Sequence, residues 1–129
     1  MKAVWILFLL ITFFPGYKNP INESPTGLMV EFIREPDKVL ILDPEPEFSW
    51  IVPDNAGRQS AYQILVSSSK ELLLRDIGNL WNGVKTNGSM SVEVQYSGEK
   101  LADNSTYFWK VRIWGSKGKS SSWSEIQSI

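Results

Sequence analysis

Phe108, Lys110, Arg112 and Trp114 occupy every second position of one run, and Trp123 follows nine residues later across the turn "GSKG". In a strand, that spacing puts aromatic rings and cations on one face, and two chemistries use such a face. Open indole rings stack on the apolar faces of sugars and form a carbohydrate platform. Alternatively the chain's own cations lie over the indoles, an internal stack in which each contact is worth about 0.5–1 kcal/mol at an exposed site. Lys110, Arg112, Trp114 and Trp123 are thus candidate ligand or stacking residues, and of the two readings the stack is favoured.

Carboxylates offer a second chemistry. Asp43, Glu45 and Glu47 cluster, and Glu31 and Glu93 sit in runs of alternating polarity. Hydrolysis of a glycosidic bond needs two carboxyl groups across a cleft, one with a raised pKa. The cluster lies in a proline-rich connection and the strand acids are expected to face outward, so solvated surface is the expectation and no catalytic residue is assigned. The chain has no histidine and no cysteine. Imidazole and thiolate metal sites are therefore excluded, as are Ser-His and Cys-His nucleophilic pairs. "GSKGKSS" falls short of a phosphate loop, because Ile113 stands five positions before Gly118 where that motif needs glycine, and the segment joins two strands. No cofactor or metal is expected. A net charge of −1 without long runs of one sign offers no basic patch for nucleic acid. Asn22, Asn87 and Asn104 open Asn-X-Ser/Thr triplets, which arise often by chance and carry no argument.

The elements that must position these residues alternate with period two. Leu28, Val30 and Phe32 form one face, then Phe48, Trp50 and Val52, then Tyr62, Ile64 and Val66 opposite Gln63, Leu65 and Ser67. "SVEVQY" puts Val92, Val94 and Tyr96 inward, and the last clear strand does the same with Tyr107, Trp109, Val111 and Ile113. The segment "KELLLRDIGNLW" breaks this rhythm: its leucines are too dense for a half-exposed strand, and Ser67 to Ser69 can cap a helix. A short helix or irregular crossing is expected over Lys70 to Asp76, with Gly78 as its stop. Asn82-Gly83 and Asn87-Gly88 are turn candidates. About seven strands separated by such turns indicate an all-β, antiparallel sandwich of the immunoglobulin or fibronectin type III kind.

The chain has 129 residues, enough for one domain after a leader. Lys2 and the apolar run Ala3 to Phe14, broken by Pro15-Gly16, read as a signal-peptide-like leader over residues 1–16. Residues 17–26 read as a linker and 27–129 as the sandwich. Export to the periplasm, cell surface or medium is expected, with membrane contact only through the leader. The run ending in Gly16-Tyr17 resembles a bacterial lipoprotein leader without the lipid-accepting cysteine.

Two resemblances follow from particular residues. Leu101 precedes Tyr107 by six positions, and Tyr107 opens Tyr-x-Trp-x-Val-x-Ile, similar to the tyrosine corner of a fibronectin type III domain; Trp50 resembles the buried tryptophan of that fold. The ordered set "PEFSW", "QSAYQILVSS", "LW", "SVEVQYSGEKL", "TYFWKVRIW" and "SSWSE" resembles the N-terminal sandwich of bacterial α-L-rhamnosidases of glycoside hydrolase family 78. Relatives usually carry Leu-Trp-Asp-Ser-Gly-Lys where this chain has Leu80 to Lys85 as Leu-Trp-Asn-Gly-Val-Lys, so its hairpin geometry is expected to differ. In that family the catalytic acids belong to a separate helical barrel downstream, and no catalytic residue carries over. The resemblance implies a non-catalytic accessory module of an exported rhamnosidase, on a truncated or split chain, with neighbouring domains and rhamnose-containing glycans as its partners. A free-standing carbohydrate- or protein-binding module is the alternative. "SSWSE" is also similar to the Trp-Ser repeat of cytokine receptors, whose paired cysteines are missing here.

Overall fold

The computed structural model describes residues 23–34, 41 and 43–129. The expected leader and most of the expected linker lie outside the described residues. In chain order come β1 (Thr26–Val30), β2 (Glu47–Ile51), β3 (Ala61–Ser67), α1 (Lys70–Leu74), β4 (Trp81–Asn82), β5 (Thr86–Asn87), β6 (Val94–Gln95), β7 (Phe108–Trp114) and β8 (Gln127–Ser128). They form two antiparallel sheets, β1-β2-β6 and a larger one in which β3 and β7 are central. β4 and β5 pair with opposite ends of β3, at Leu65–Val66 and at Ala61–Tyr62, so together they make one interrupted edge strand. The architecture is an immunoglobulin-like β-sandwich.

The strongest pairing is β3 with β7, where seven consecutive residues match from Ala61↔Trp114 to Ser67↔Phe108. One face of this pair carries Ile64, Val66, Trp109, Val111 and Ile113, all buried. Val30, Phe48 and Trp50 of the smaller sheet oppose them, joined by Val94, Tyr96 and Leu101. Phe48 is the centre of an aromatic cluster, with ring centroids 4.5 Å from Trp109, 6.0 Å from Tyr96 and 6.1 Å from Trp81. Tilted pairs of this kind contribute about 0.5–1.5 kcal/mol beyond the area they bury. Trp50 packs on Tyr62 at 5.5 Å and donates its indole N–H to Gln59 Oε1 at 3.0 Å. Gln59 in turn donates to the carbonyls of Gly88 and Met90, which ties the β2 side of the core to the segment after β5. The tyrosine corner is present: the Ala102 N–H donates to the Tyr107 hydroxyl at 2.9 Å.

Several expected placements are different. Phe32 is not on the inner face of β1. It is 55% exposed, and Glu31 and Phe32 both have positive φ, forming a tight turn in which Val30 and Ile33 exchange both backbone hydrogen bonds. Val92 is likewise 50% exposed, because Glu93 takes φ 55° and breaks the run, leaving β6 only two residues long. A period-two pattern registers side-chain type and is blind to the sign of φ. Tyr107 stands just before β7 and is half-buried.

Neither Asn-Gly pair makes a two-residue hairpin. Gly83 donates to the Ile64 carbonyl at 3.0 Å, and a Cβ there would lie 2.3 Å from that oxygen, so glycine is required by close approach within the edge. Gly88 donates to the Ser60 carbonyl. The helix also ends before Gly78. The Asp76 N–H donates to the Leu73 carbonyl and the Ile77 N–H to the Leu72 carbonyl, with Asp76 in the left-handed conformation that glycine usually supplies at this position. Its N-cap is as expected, Ser69 Oγ accepting from Leu72 N–H at 3.3 Å.

Two outcomes follow from the core. Trp50→Ala should cost about 3–5 kcal/mol, the range for deleting a buried large aromatic, and an unchanged denaturant midpoint would remove Trp50 from the core. The second concerns Tyr96, whose hydroxyl donates to the carbonyls of Glu99 and Leu80. Burial, then the Glu99 charge and Tyr107, push its pKa up to about 12 from 10.0. The folded state therefore holds this proton more tightly than the unfolded chain. Its stabilisation is complete below pH 10.0 and is lost as the pH rises towards about 12. Denaturant midpoints across that window should fall for the parent and fall less for Tyr96→Phe.

Candidate functional site

The outer face of the larger sheet carries the aromatic and cationic side chains. Gln63↔Arg112 and Leu65↔Lys110 are cross-strand partners on β3 and β7, so their side chains share that face. Trp123 reaches it from the segment after β7, which runs beside the strand as an irregular edge. The N–H of Ser121 donates to the Ile113 carbonyl and that of Ser124 to the Val111 carbonyl, while the hydroxyls of Ser121 and Ser124 accept from Ile113 N–H and Val111 N–H, each at 3.0 Å. Each hydroxyl also donates to the carbonyl of the following residue. Two residues here, Ser122 and Trp123, stand opposite Arg112 alone on β7, as in a bulge.

Lys110, Arg112, Trp114 and Trp123 are brought together in one alternating ladder. Trp114 carries Lys85 at 4.9 Å from its ring centre and Arg112 at 5.0 Å; Trp123 carries Arg112 at 4.6 Å and Lys110 at 4.5 Å. Phe108 belongs to the same face further along, under Lys70 at 5.5 Å. Arg112 is fixed from the side by Gln63, whose Oε1 accepts from Nε at 2.8 Å and whose amide donates to the Gly83 carbonyl at 2.9 Å. Both indoles are half-buried, and cations lie over both.

Lys110 departs from its expected open position. It is only 5% exposed, its ammonium donating to the Leu73 carbonyl at 2.6 Å and to the Asp76 carboxylate. Leu73 lies in the last turn of α1 and Asp76 two residues beyond it, at the end of the helix that carries partial negative charge; the Leu73 carbonyl accepts from Lys110 as well as from the Asp76 N–H. α1 crosses over this end of the sheet, and Leu65, also expected on a wet face, is 1% exposed. Lys85, Gln63 and Asp76 were not among the sequence-derived candidates. They are remote from Arg112 along the chain and no local pattern marks them.

The acids gather at the start of β2. Glu31 Oε1 accepts from the Glu47 N–H at 2.8 Å, and the Glu47 carboxyl is raised above its usual range by burial first and then by the Glu93, Glu31 and Asp43 charges. Among the described residues no group of three or more acids is arranged to hold a metal ion.

A family model described as Rha78A-like, N-terminal immunoglobulin domain matches residues 25–129. An α-L-rhamnosidase of Formosa agariphila is 34% identical over 121 residues, covering 92% of this chain and 11% of the relative. An α-L-rhamnosidase of Alteromonas sp. is 37% identical over 136 residues, covering 100% of this chain and 14% of the relative. The solved α-L-rhamnosidase of Dictyoglumus thermophilum superposes with a TM-score of 0.79 at 35% identity, over 86% of this chain and 12% of that one. The chain thus spans only a small part of the length of each of these relatives.

The ladder should be graded in strength. Trp123 contacts the desolvated Lys110 as well as Arg112, and such contacts reach about 2 kcal/mol or more against about 0.5–1 at exposed sites. Trp123→Ala should therefore lower the unfolding free energy clearly more than Trp114→Ala does. Equal losses in urea titrations would mean that the buried ammonium contributes nothing through the ring.

Proposed function

The chain belongs to the Rha78A-like N-terminal immunoglobulin domain family, and from that premise we propose that it is a non-catalytic sandwich module of an exported α-L-rhamnosidase. It acts by packing on neighbouring domains and setting their positions. The observation that carries this reading is coverage: the match to this domain family takes in nearly the whole sandwich, while the chain accounts for 11–14% of the two relatives' length. The ladder supports it from the chemical side, since its two indoles are already occupied by the chain's own cations. Export would follow from the leader-like first 16 residues. The glycan acted on by the larger enzyme would contain α-L-rhamnose, in keeping with the named activity of the relatives.

The full chain should not turn over an aryl α-L-rhamnoside. Activity that survives repurification and disappears in Glu47→Gln, the carboxyl with the raised pKa, would overturn the non-catalytic reading. The positioning role is tested in the Alteromonas enzyme. Deleting the matched segment should lower that enzyme's melting temperature and activity, and inserting this chain in its place should restore both. An enzyme indifferent to the deletion would sink the scaffold proposal.

A further inference from the structure

The turn that follows β1 carries a conformational cost that its own contacts do not explain. Val30 and Ile33 exchange both backbone hydrogen bonds, at 3.1 and 2.8 Å, and the two residues between them have φ of 52° and 61°. Positive φ at both central residues is the type I′ arrangement, which Asn-Gly or Gly-Gly ordinarily fills. Here the pair is Glu31-Phe32, although the chain has two Asn-Gly pairs and places neither in such a turn. Left-handed backbone is strained for a residue with a Cβ, and a bulky side chain there is an outlier. Glu31 has a local reason to occupy the turn: its Oε1 accepts from the Glu47 N–H at 2.8 Å and fastens the turn to the start of β2. Phe32 has none. Its side chain is 55% exposed, lies outside the core cluster and makes no ring contact with another described residue. An exposed apolar residue is ordinary by itself. One held outward by strained backbone points to use, because such strain gathers where a group is presented to a partner.

The turn stands at the end of the sandwich where the family's domain closes. The Glu31 N–H donates to the Glu47 carbonyl, and just before Glu47 the carbonyls of Pro46 and Pro44 accept from Tyr96 and Leu101. Next to Leu101, the Ala102 N–H donates to the Tyr107 hydroxyl, and Tyr107 exchanges both backbone hydrogen bonds with Ile129. Phe32 and Ile129 therefore share one end of the fold, and the family match closes at residue 129. That family is an N-terminal domain, and this chain accounts for 11–14% of the length of two relatives that carry it. In those relatives the bulk of the protein follows the domain, and the part that follows directly meets this end first. Glu31 and Glu47 lie beside Phe32, so a surface that receives the ring is apolar at its centre and free of acids around it.

We propose that Phe32 is a docking anchor: the strained turn holds its ring outward, and the ring inserts into an apolar, acid-free pocket of the domain that follows this sandwich in a rhamnosidase chain. The proposal rests on the scaffold reading above and names the contact through which it acts. Aromatic side chains that fill a partner's pocket are the usual anchors of such interfaces.

Opposite effects in two settings test it. In the full chain on its own, Phe32→Gly and Phe32→Asn suit the left-handed backbone and remove no core contact. Each should raise the melting temperature, by about 4 °C for relief of one strained residue in a domain of this size. In the Alteromonas enzyme with this chain in place of its matched segment, the same substitutions should act in reverse. They should lower the melting temperature and speed proteolysis at the junction after the sandwich about tenfold, the change in open population expected when one buried phenylalanine ring is lost. Phe32→Leu keeps an apolar side chain and should fall between parent and Phe32→Gly. The proposal is overturned if Phe32→Gly and Phe32→Asn cost the chimaeric enzyme no more than they cost the chain on its own. Deleting the whole matched segment separates this outcome from failure of the scaffold reading. An enzyme that suffers from the deletion but tolerates both substitutions refutes the anchor alone, whereas one indifferent to the deletion refutes the scaffold and the anchor with it.

Discussion

With no cysteine to tie its layers, the sandwich depends on side chains that meet between the sheets, and the contact of Phe48 with Trp109 is the central one. The rings lie 4.5 Å apart and both residues are fully buried. β2 and β7 are thereby joined, and Trp81 and Tyr96 close on Phe48 from the other side. The arrangement has a polar cost. The Trp109 indole N–H is buried without a hydrogen-bond partner among the described residues, and an unsatisfied donor costs about 1–3 kcal/mol. Truncating a buried tryptophan costs about 3–5 kcal/mol, so the ring contributes more than its unmatched donor removes. Tyr96 avoids the same cost because its hydroxyl reaches the Glu99 and Leu80 carbonyls.

The outer face of the larger sheet presents the opposite difficulty, an apolar surface with no second sheet to cover it. Two devices cover it. α1 lies over Leu65 and Lys110, and the ammonium of Lys110 caps the helix end through Leu73 and Asp76. This explains an aspartate where the left-handed conformation would favour glycine: only a carboxylate supplies a charged partner to the buried ammonium. The ladder covers the other end. It requires Trp123 on this face, and the hydroxyls of Ser121 and Ser124 permit that by standing in as acceptors for two β7 N–H groups while the chain is out of register. The serines on either side of Trp123 thus serve the edge, and the tryptophan serves the face.

Alternation was a sufficient guide where a strand has one dry face and one wet face. Trp109, Val111 and Ile113, or Phe48 and Trp50, lie where their spacing places them. It failed for physical reasons at three kinds of position. At Phe32 and Val92 a positive φ at or beside the residue redirects the chain, and no side-chain pattern encodes that sign. At Leu65 and Lys110 a remote helix dries a face expected to be wet, which no local window can register. At Gly83 a turn signature is spent on close strand approach, and at Gly88 on an edge hydrogen bond to the Ser60 carbonyl. The four candidate residues on the aromatic face were legible because three of them share one strand, and Trp123 because it follows a short turn. Lys85, Gln63 and Asp76 arrive by tertiary packing and were not.

Whether an aromatic face is a platform or a stack is decided by competition. A cation held beside an indole by its own backbone acts at a high effective concentration, in the millimolar range or above for a short connection. A sugar that stacks with millimolar affinity must displace that cation and leave it to be resolvated. Arg112 is further fixed by Gln63, and Lys110 by the Leu73 carbonyl and the Asp76 carboxylate, so the displacement would also break charge-assisted hydrogen bonds. Weak stacking energy cannot meet that cost. Tryptophans in this ladder are therefore structural because of what their neighbours are bonded to.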